Sequence, residues 1–89
     1  MTASGTPAAG GGGDHGELES SLADIWCDVL GLRSVELDDD FFDLGGHSLL
    51  AAALASRISD LVGIKFRVAD VQRQPTVAAQ AEAIVNALV

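Results

Sequence analysis

Three stretches of this chain repeat apolar residues at the spacing of one helix face, and each is punctuated where a helix must stop or start. Leu18, Leu22, Ile25, Trp26, Val29 and Leu30 stand at i, i+4, i+7, i+8, i+11 and i+12, the pattern of an amphipathic helix. Gly31 then fits the C' position that ends a helix, and Glu17 and Glu19 suit its first turn. Leu50, Leu54, Ile58 and Leu61 make a second stripe from Ser48 to about Val62, closed by Gly63. Val77, Ala81, Ile84, Val85 and Leu88 make a third, preceded by Pro75 and by Thr76 as a cap. Between the last two, Ile64 to Gln74 is short and mixed, which predicts an extended piece and then one or two helical turns near Val68 to Arg73. No segment alternates for long enough to build a sheet. The predicted fold is all-α, a small bundle of three main helices plus one short helix.

With 89 residues, 48% of them hydrophobic, such a bundle is one small domain with a single economical core. Residues 1–16, rich in Gly, Ala, Ser and Thr and holding the run Gly10-Gly11-Gly12-Gly13, are expected to be a disordered tail, and residues 17–89 the domain. Five Lys and Arg against 13 Asp and Glu give a net charge of -8, which repels nucleic acid and suits docking on basic protein patches. The single cysteine cannot form an intramolecular disulfide, and the N-terminus has neither the basic start nor the apolar run of a signal peptide. A cytoplasmic location is therefore expected. No apolar run approaches the length that crosses a bilayer, so no membrane partner is expected, and the domain is expected to be a monomer. Trp26 is assigned to the core and Cys27 to the rim of the first helix, with nothing basic beside it to activate its thiol.

The connection from Leu32 to Gly46 is long for so small a fold, and long connections in compact domains are often functional. Val35, Leu37, Phe41, Phe42 and Leu44 are candidates to pin it. Glu36, Asp38, Asp39, Asp40 and Asp43 either form a solvated face or steer basic partners toward Ser48. The connection ends in Gly45-Gly46-His47, and Ser48 stands at the start of the second stripe. Backbone N–H groups are unpaired at a helix N-terminus and the dipole is positive there, so a phosphate ester on Ser48 is favoured. The two glycines let the chain turn without walling off the hydroxyl. In an arbitrary helix a serine here would be only an N-cap.

Enzymatic readings of the same residues fit poorly. Gly46-His47-Ser48 begins like a G-x-S-x-G nucleophile elbow, but Leu50 stands where the second glycine belongs and the chain is too short for the hydrolase sheet. The aspartate run lacks the ligand and glycine of a calcium loop at Phe42 and Asp43. His47 has no third group to orient it as a base for Ser48, and reads as a turn residue that shapes the surface met by partners. No catalytic residues and no metal site are predicted. On the second helix Leu49, Ala52, Ala53 and Ser56 face away from the stripe, and an outward leucine on an alanine-rich surface reads as a docking face.

Read from Asp39 or Asp40 to Leu50, D-x-F-F-D-L-G-G-H-S-L-L resembles the thiolation motif of peptidyl carrier proteins, the carrier domains of nonribosomal peptide synthetases. Leu22-Ala23-Asp24-Ile25-Trp26 with Val29-Leu30-Gly31 is similar to that family's first helix, and Gln74-Pro75-Thr76-Val77 to the entry of its last. The resemblance runs from about Glu17 to Val89 and implies an acyl-carrier-protein-like bundle. It implies further that Ser48 receives 4'-phosphopantetheine from coenzyme A through a phosphopantetheinyl transferase. The arm's thiol would then hold an aminoacyl thioester, loaded by an adenylation enzyme and passed to condensation or tailoring enzymes in the making of a natural product such as an antibiotic. The domain itself would be non-catalytic. The family's recognition surface maps onto Gly46, His47, Leu49, Ala52 and Ala53. The start at Met1 and the finish after the last helix favour a free-standing carrier, though an excised domain would look the same. Fatty-acid and polyketide carriers are the nearest alternative, but they more often show Asp before the serine, where His47 stands; an unmodified helical interaction domain is a further one. One departure stands out. Many peptidyl carriers resemble L-F-x-x-P-T before the last helix, whereas here Val71-Gln72-Arg73-Gln74-Pro75-Thr76 lacks the aromatic. The short helix is thus expected to be less anchored, with Gln72 and Arg73 tuning partner choice.

Overall fold

A computed structural model describes residues 16–88 of the chain. The expectation for the N-terminal tail concerns residues outside that range, apart from Gly16, which opens the first helix. Four helices follow one another: α1 (Gly16–Leu30), α2 (Ser48–Val62), α3 (Val68–Arg73) and α4 (Val77–Leu88), and no strand occurs among the described residues. α1 packs against both α2 and α4, and α3 against α2. The all-α expectation and the three long helices with one short one are what the structure contains.

The helix ends follow the punctuation of the sequence. Gly31 (φ 72°) and Gly63 (φ 75°) both take the left-handed conformation that ends a helix at little cost only for glycine. Gly31 N–H donates to the Cys27 carbonyl at 2.8 Å, and Gly63 N–H to that of Ser59 at 2.9 Å. Thr76 Oγ1 accepts the Ala79 N–H at 3.1 Å and so caps α4. α3 is opened by Asp70, whose carboxylate reaches back to the Arg67 N–H at 2.9 Å. The extended piece before α3 is clipped to α2 by Ser59, whose hydroxyl donates to the Phe66 carbonyl and accepts its N–H at 2.8 Å.

The core contains Leu22, Ile25 and Trp26 from α1, Ala51, Leu54, Ala55 and Ile58 from α2, Val71 from α3, and Val77, Ala81 and Ile84 from α4, joined by Phe41 and Phe66 from the connections. Burying each of the larger side chains contributes about 2 kcal/mol. Three expected core residues are not in it. Leu61 is 46% exposed, and Leu37 and Leu88 are exposed as well. For Leu61 the reason is rotational: at about 100° per residue, buried Ala51, Leu54, Ala55 and Ile58 centre the inner face of α2 away from Leu50 and Leu61, which fall on its edge. The bulky residues alone mark the stripe too far round, because two of the four buried positions of α2 are alanines.

α3 corrects a second expectation. It is pinned without an aromatic at position 72: Val71 is fully buried, Phe66 is buried beside it in the core and Val68 packs on the same cluster. Gln72 is exposed, so a phenylalanine there would lie on the surface rather than fill a gap. Arg73 is exposed, as expected, but pairs with Asp70 at 2.6 Å, a surface contact of small energetic weight.

The long connection between α1 and α2 is built by its own acids. Asp39 accepts the Glu36 N–H through its carboxylate at 2.8 Å, and Asp40 Oδ1 accepts the N–H groups of Phe42 at 2.8 Å and Asp43 at 3.2 Å. Two of the aspartates therefore shape the loop as Asx turns do, while Glu36, Asp38 and Asp43 are exposed. Asp40→Ala, which leaves two loop N–H groups without their acceptor, is expected to lower stability by about 1–2 kcal/mol in thermal denaturation, with Asp40→Asn retaining most of it because the amide oxygen can still accept.

Candidate functional site

The approach to Ser48 is a tight turn wrapped around one ring. Phe41 is fully buried, edge-on to Trp26 with centroids 5.1 Å apart and edge-on to Phe42 at 5.4 Å. Its N–H donates to the Pro75 carbonyl at 2.7 Å, and its own carbonyl accepts the Gly46 N–H at 3.0 Å. Gly45 has φ 106°, which strains any residue with a side chain. At Gly46 the constraint is different: a Cβ would run into the Phe41 ring and stand 2.7 Å from the Phe41 carbonyl oxygen. The second glycine is thus required less for turning than for letting the backbone lie on the ring.

The chain then passes through His47, extended at φ -145°, ψ -179°, in the N-cap position of α2. No side chain caps this helix. Ala51 N–H is the first to find a helical acceptor, the His47 carbonyl at 2.7 Å, so the N–H groups of Ser48, Leu49 and Leu50 have none within the helix. Ser48 is the first helical residue, exposed, and its hydroxyl makes no hydrogen bond among the described residues. It is therefore not the cap that a serine near a helix start would ordinarily be. His47 is exposed and makes no hydrogen bond to it.

Leu49 is 75% exposed, and Ala52, Ala53 and Ser56 are exposed with it, so the outer face of α2 is as predicted. Gly46, His47, Ser48, Leu49, Ala52 and Ala53 are brought together at one end and one face of that helix. Gln72 and Arg73 sit on a separate element, joined to the turn through Pro75, whose carbonyl receives the Phe41 N–H. No cluster of His, Cys, Asp or Glu suited to a metal ion occurs among the described residues, and none of their helices is long and apolar enough to cross a membrane.

An open serine hydroxyl beside unpaired N–H groups can take a phosphodiester, and the comparison with known families bears on which one. The family model described as the phosphopantetheine attachment site matches residues 20–84. The chain belongs to this family. It is a carrier domain of the kind that holds 4'-phosphopantetheine covalently, and the exposed, unbonded Ser48 hydroxyl at an uncapped helix start fits that group. Over 60 residues the carrier is 52% identical to a dimodular nonribosomal peptide synthase of Bacillus subtilis (strain 168), an alignment that covers 67% of the chain and 2% of that synthase. Among solved structures it is similar to BlmI, a type-II acyl carrier protein from Streptomyces verticillus involved in bleomycin biosynthesis, with a TM-score of 0.81 and 31% identity over 84% of this chain and 90% of that one. It is similar also to the chain of a complex of the transferase Sfp with coenzyme A and a peptidyl carrier protein, at TM-score 0.73 and 35% identity over 76% of this chain and 88% of that one.

Sequence reasoning missed Gln80. It is fully buried on α4, accepting the Trp26 indole N–H at 3.0 Å and donating to the Gln74 carbonyl at 2.8 Å. The signal was present: Val77, Gln80, Ala81 and Ile84 share one helical stripe, and a polar residue there needs partners. Gly46→Ala should force the Phe41 ring aside and cost about 1–3 kcal/mol, read as a drop in melting temperature, whereas Ala53→Gly on the outer face should cost no more than about 1 kcal/mol.

Proposed function

We propose that Ser48 is the residue that bears the phosphopantetheine and that the domain serves nonribosomal peptide synthesis as a peptidyl carrier. The observation that carries the assignment is the state of that hydroxyl: exposed, without a protein hydrogen bond, and first in a helix whose leading N–H groups are unpaired. Those N–H groups favour the negative charge that the modified residue would carry. The Ser48 oxygen attacks the β-phosphorus of coenzyme A, the P–O bond to the α-phosphate breaks, adenosine 3',5'-bisphosphate leaves, and the serine proton passes to a base. A separate phosphopantetheinyl transferase supplies that base and the metal. When bound, the arm supplies a thiol on a flexible tether, which holds an acyl group as a reactive thioester at high effective concentration near each partner.

In this reading the domain performs no chemistry of its own. An adenylation enzyme loads an amino acid onto it, and condensation or tailoring enzymes take the product, meeting the carrier in the cytoplasm at Gly46, His47, Leu49, Ala52 and Ala53, with Gln72 and Arg73 as a second patch. Leu49 is the centre of that surface because a large apolar side chain left in water gains most from a partner's cover. The relation to a synthase and to peptidyl carriers supports the peptidyl class.

Incubation with coenzyme A and a broad-specificity phosphopantetheinyl transferase is expected to add one phosphopantetheinyl group, seen in the intact mass, while Ser48→Ala stays folded and unmodified. A modified Ser48→Ala protein would place the arm elsewhere. Leu49→Asp is expected to alter stability by no more than about 0.5 kcal/mol, yet to slow the transfer about tenfold. A lost helical circular dichroism signal in that variant would make Leu49 a core residue.

A further inference from the structure

The one fully buried polar side chain among the described residues is Gln80, and both ends of its carboxamide are used. Oε1 accepts the Trp26 indole N–H at 3.0 Å; Nε2 donates to the Gln74 carbonyl at 2.8 Å. An apolar side chain would fill this interior position at lower desolvation cost, so the amide serves something that filling does not. Its two bonds lead to the same place by different routes. Trp26 is edge-on to the Phe41 ring at 5.1 Å. Gln74 is bonded to Pro75, whose carbonyl accepts the Phe41 N–H at 2.7 Å. Phe41 in turn carries Gly46, through its carbonyl at 3.0 Å and through the ring against which the glycine lies. Gly46 is two residues before Ser48.

We infer that Gln80 is a positioning residue for the Ser48 hydroxyl: it fixes Trp26 and the Gln74-Pro75 carbonyls relative to each other, and so sets both the ring and the backbone of Phe41, on which the turn into α2 rests. The inference rests on Ser48 being the attachment residue. A flat amide with one donor end and one acceptor end holds two groups at a fixed separation and angle, which a flexible apolar side chain cannot do. Loss of this register leaves the outer face of α2 intact, so a transferase still docks, but the nucleophile stands off its line of attack. A misplacement of even about 1 Å at a reacting atom is costly in rate.

The test compares Gln80→Met, which keeps the volume and removes both bonds, with Ile84→Val, which loosens the same helix without touching the relay. Transfer from coenzyme A is measured well below the melting midpoint of every variant. Gln80→Met is expected to lower kcat about fivefold with KM within about twofold, the split that marks lost alignment rather than lost docking. Backbone amide resonances of Phe41, Gly46 and Ser48 are expected to move in Gln80→Met and to stay in place in Ile84→Val. Equal kcat in the two variants, or unmoved amides in Gln80→Met, overturns the inference. A wild-type chain that is not modified at Ser48 instead removes the attachment reading, and the amide comparison still decides whether Gln80 sets the turn. Should Gln80→Met fail to fold, Gln80→Leu, which removes the same two bonds and leaves Trp26 and Phe41 unchanged, is judged on the same two readouts.

Discussion

Everything near the carrier's working end depends on where one aromatic ring is placed. Phe41 lies in a connection rather than a helix, yet it is as buried as any residue of α1, α2 or α4. The ring meets Trp26 and Phe42 edge-on, an arrangement that aromatic quadrupoles favour and that fixes orientation as well as depth. Because the ring takes up the space beside Gly46, the chain must cross it as bare backbone, and the crossing delivers the next residues to the start of α2. A flexible linker of the same length could reach the same point. It could not hold it, since ordering such a segment costs about 1–2 kcal/mol per residue that only buried contacts and turn hydrogen bonds repay.

The division of labour between inside and outside is sharp on α2. Its inner face is half alanine, while its outer face carries a leucine that stands mostly in solvent. Leu54 and Ile58 supply the bulk inside, and Leu49 is the large apolar residue left outside. Leaving Leu49 exposed costs the fold little, because the inner face is closed to water without it.

The helix bounds could be read from the sequence because each is set by local chemistry: Gly31 and Gly63 end helices through backbone conformation, Thr76 begins one through its hydroxyl, and neither effect depends on distant contacts. The motif from Asp39 to Leu50 could be read through its resemblance to the thiolation motif of peptidyl carriers. What depends on the meeting of segments far apart could not. Leu61 looked like core because stripe analysis weighs size, and only the packed fold shows that two alanines belong to the buried face. The reason for Gly46 is the ring of Phe41, and its glycine is ambiguous without that neighbour. The Asp39 and Asp40 carboxylates looked like a charged surface, whereas half their work is to fold the loop. Phe66 and Gln80 were passed over because one sits in a mixed segment and the other is polar, and it takes α2 and α1 respectively to show why each is buried.

The acidic loop bears on how coenzyme A can reach the serine at all. Between Arg33 and Arg57 there is no Lys or Arg, while Glu36, Asp38, Asp39, Asp40 and Asp43 all lie in that stretch. Coenzyme A is itself strongly anionic, so over a screening distance of about 8 Å at physiological salt the domain and its donor repel each other. Free coenzyme A is therefore kept from collecting at the acceptor. A partner surface of positive charge would relieve both repulsions at once, so the charges that turn away the free donor would favour an enzyme that carries it.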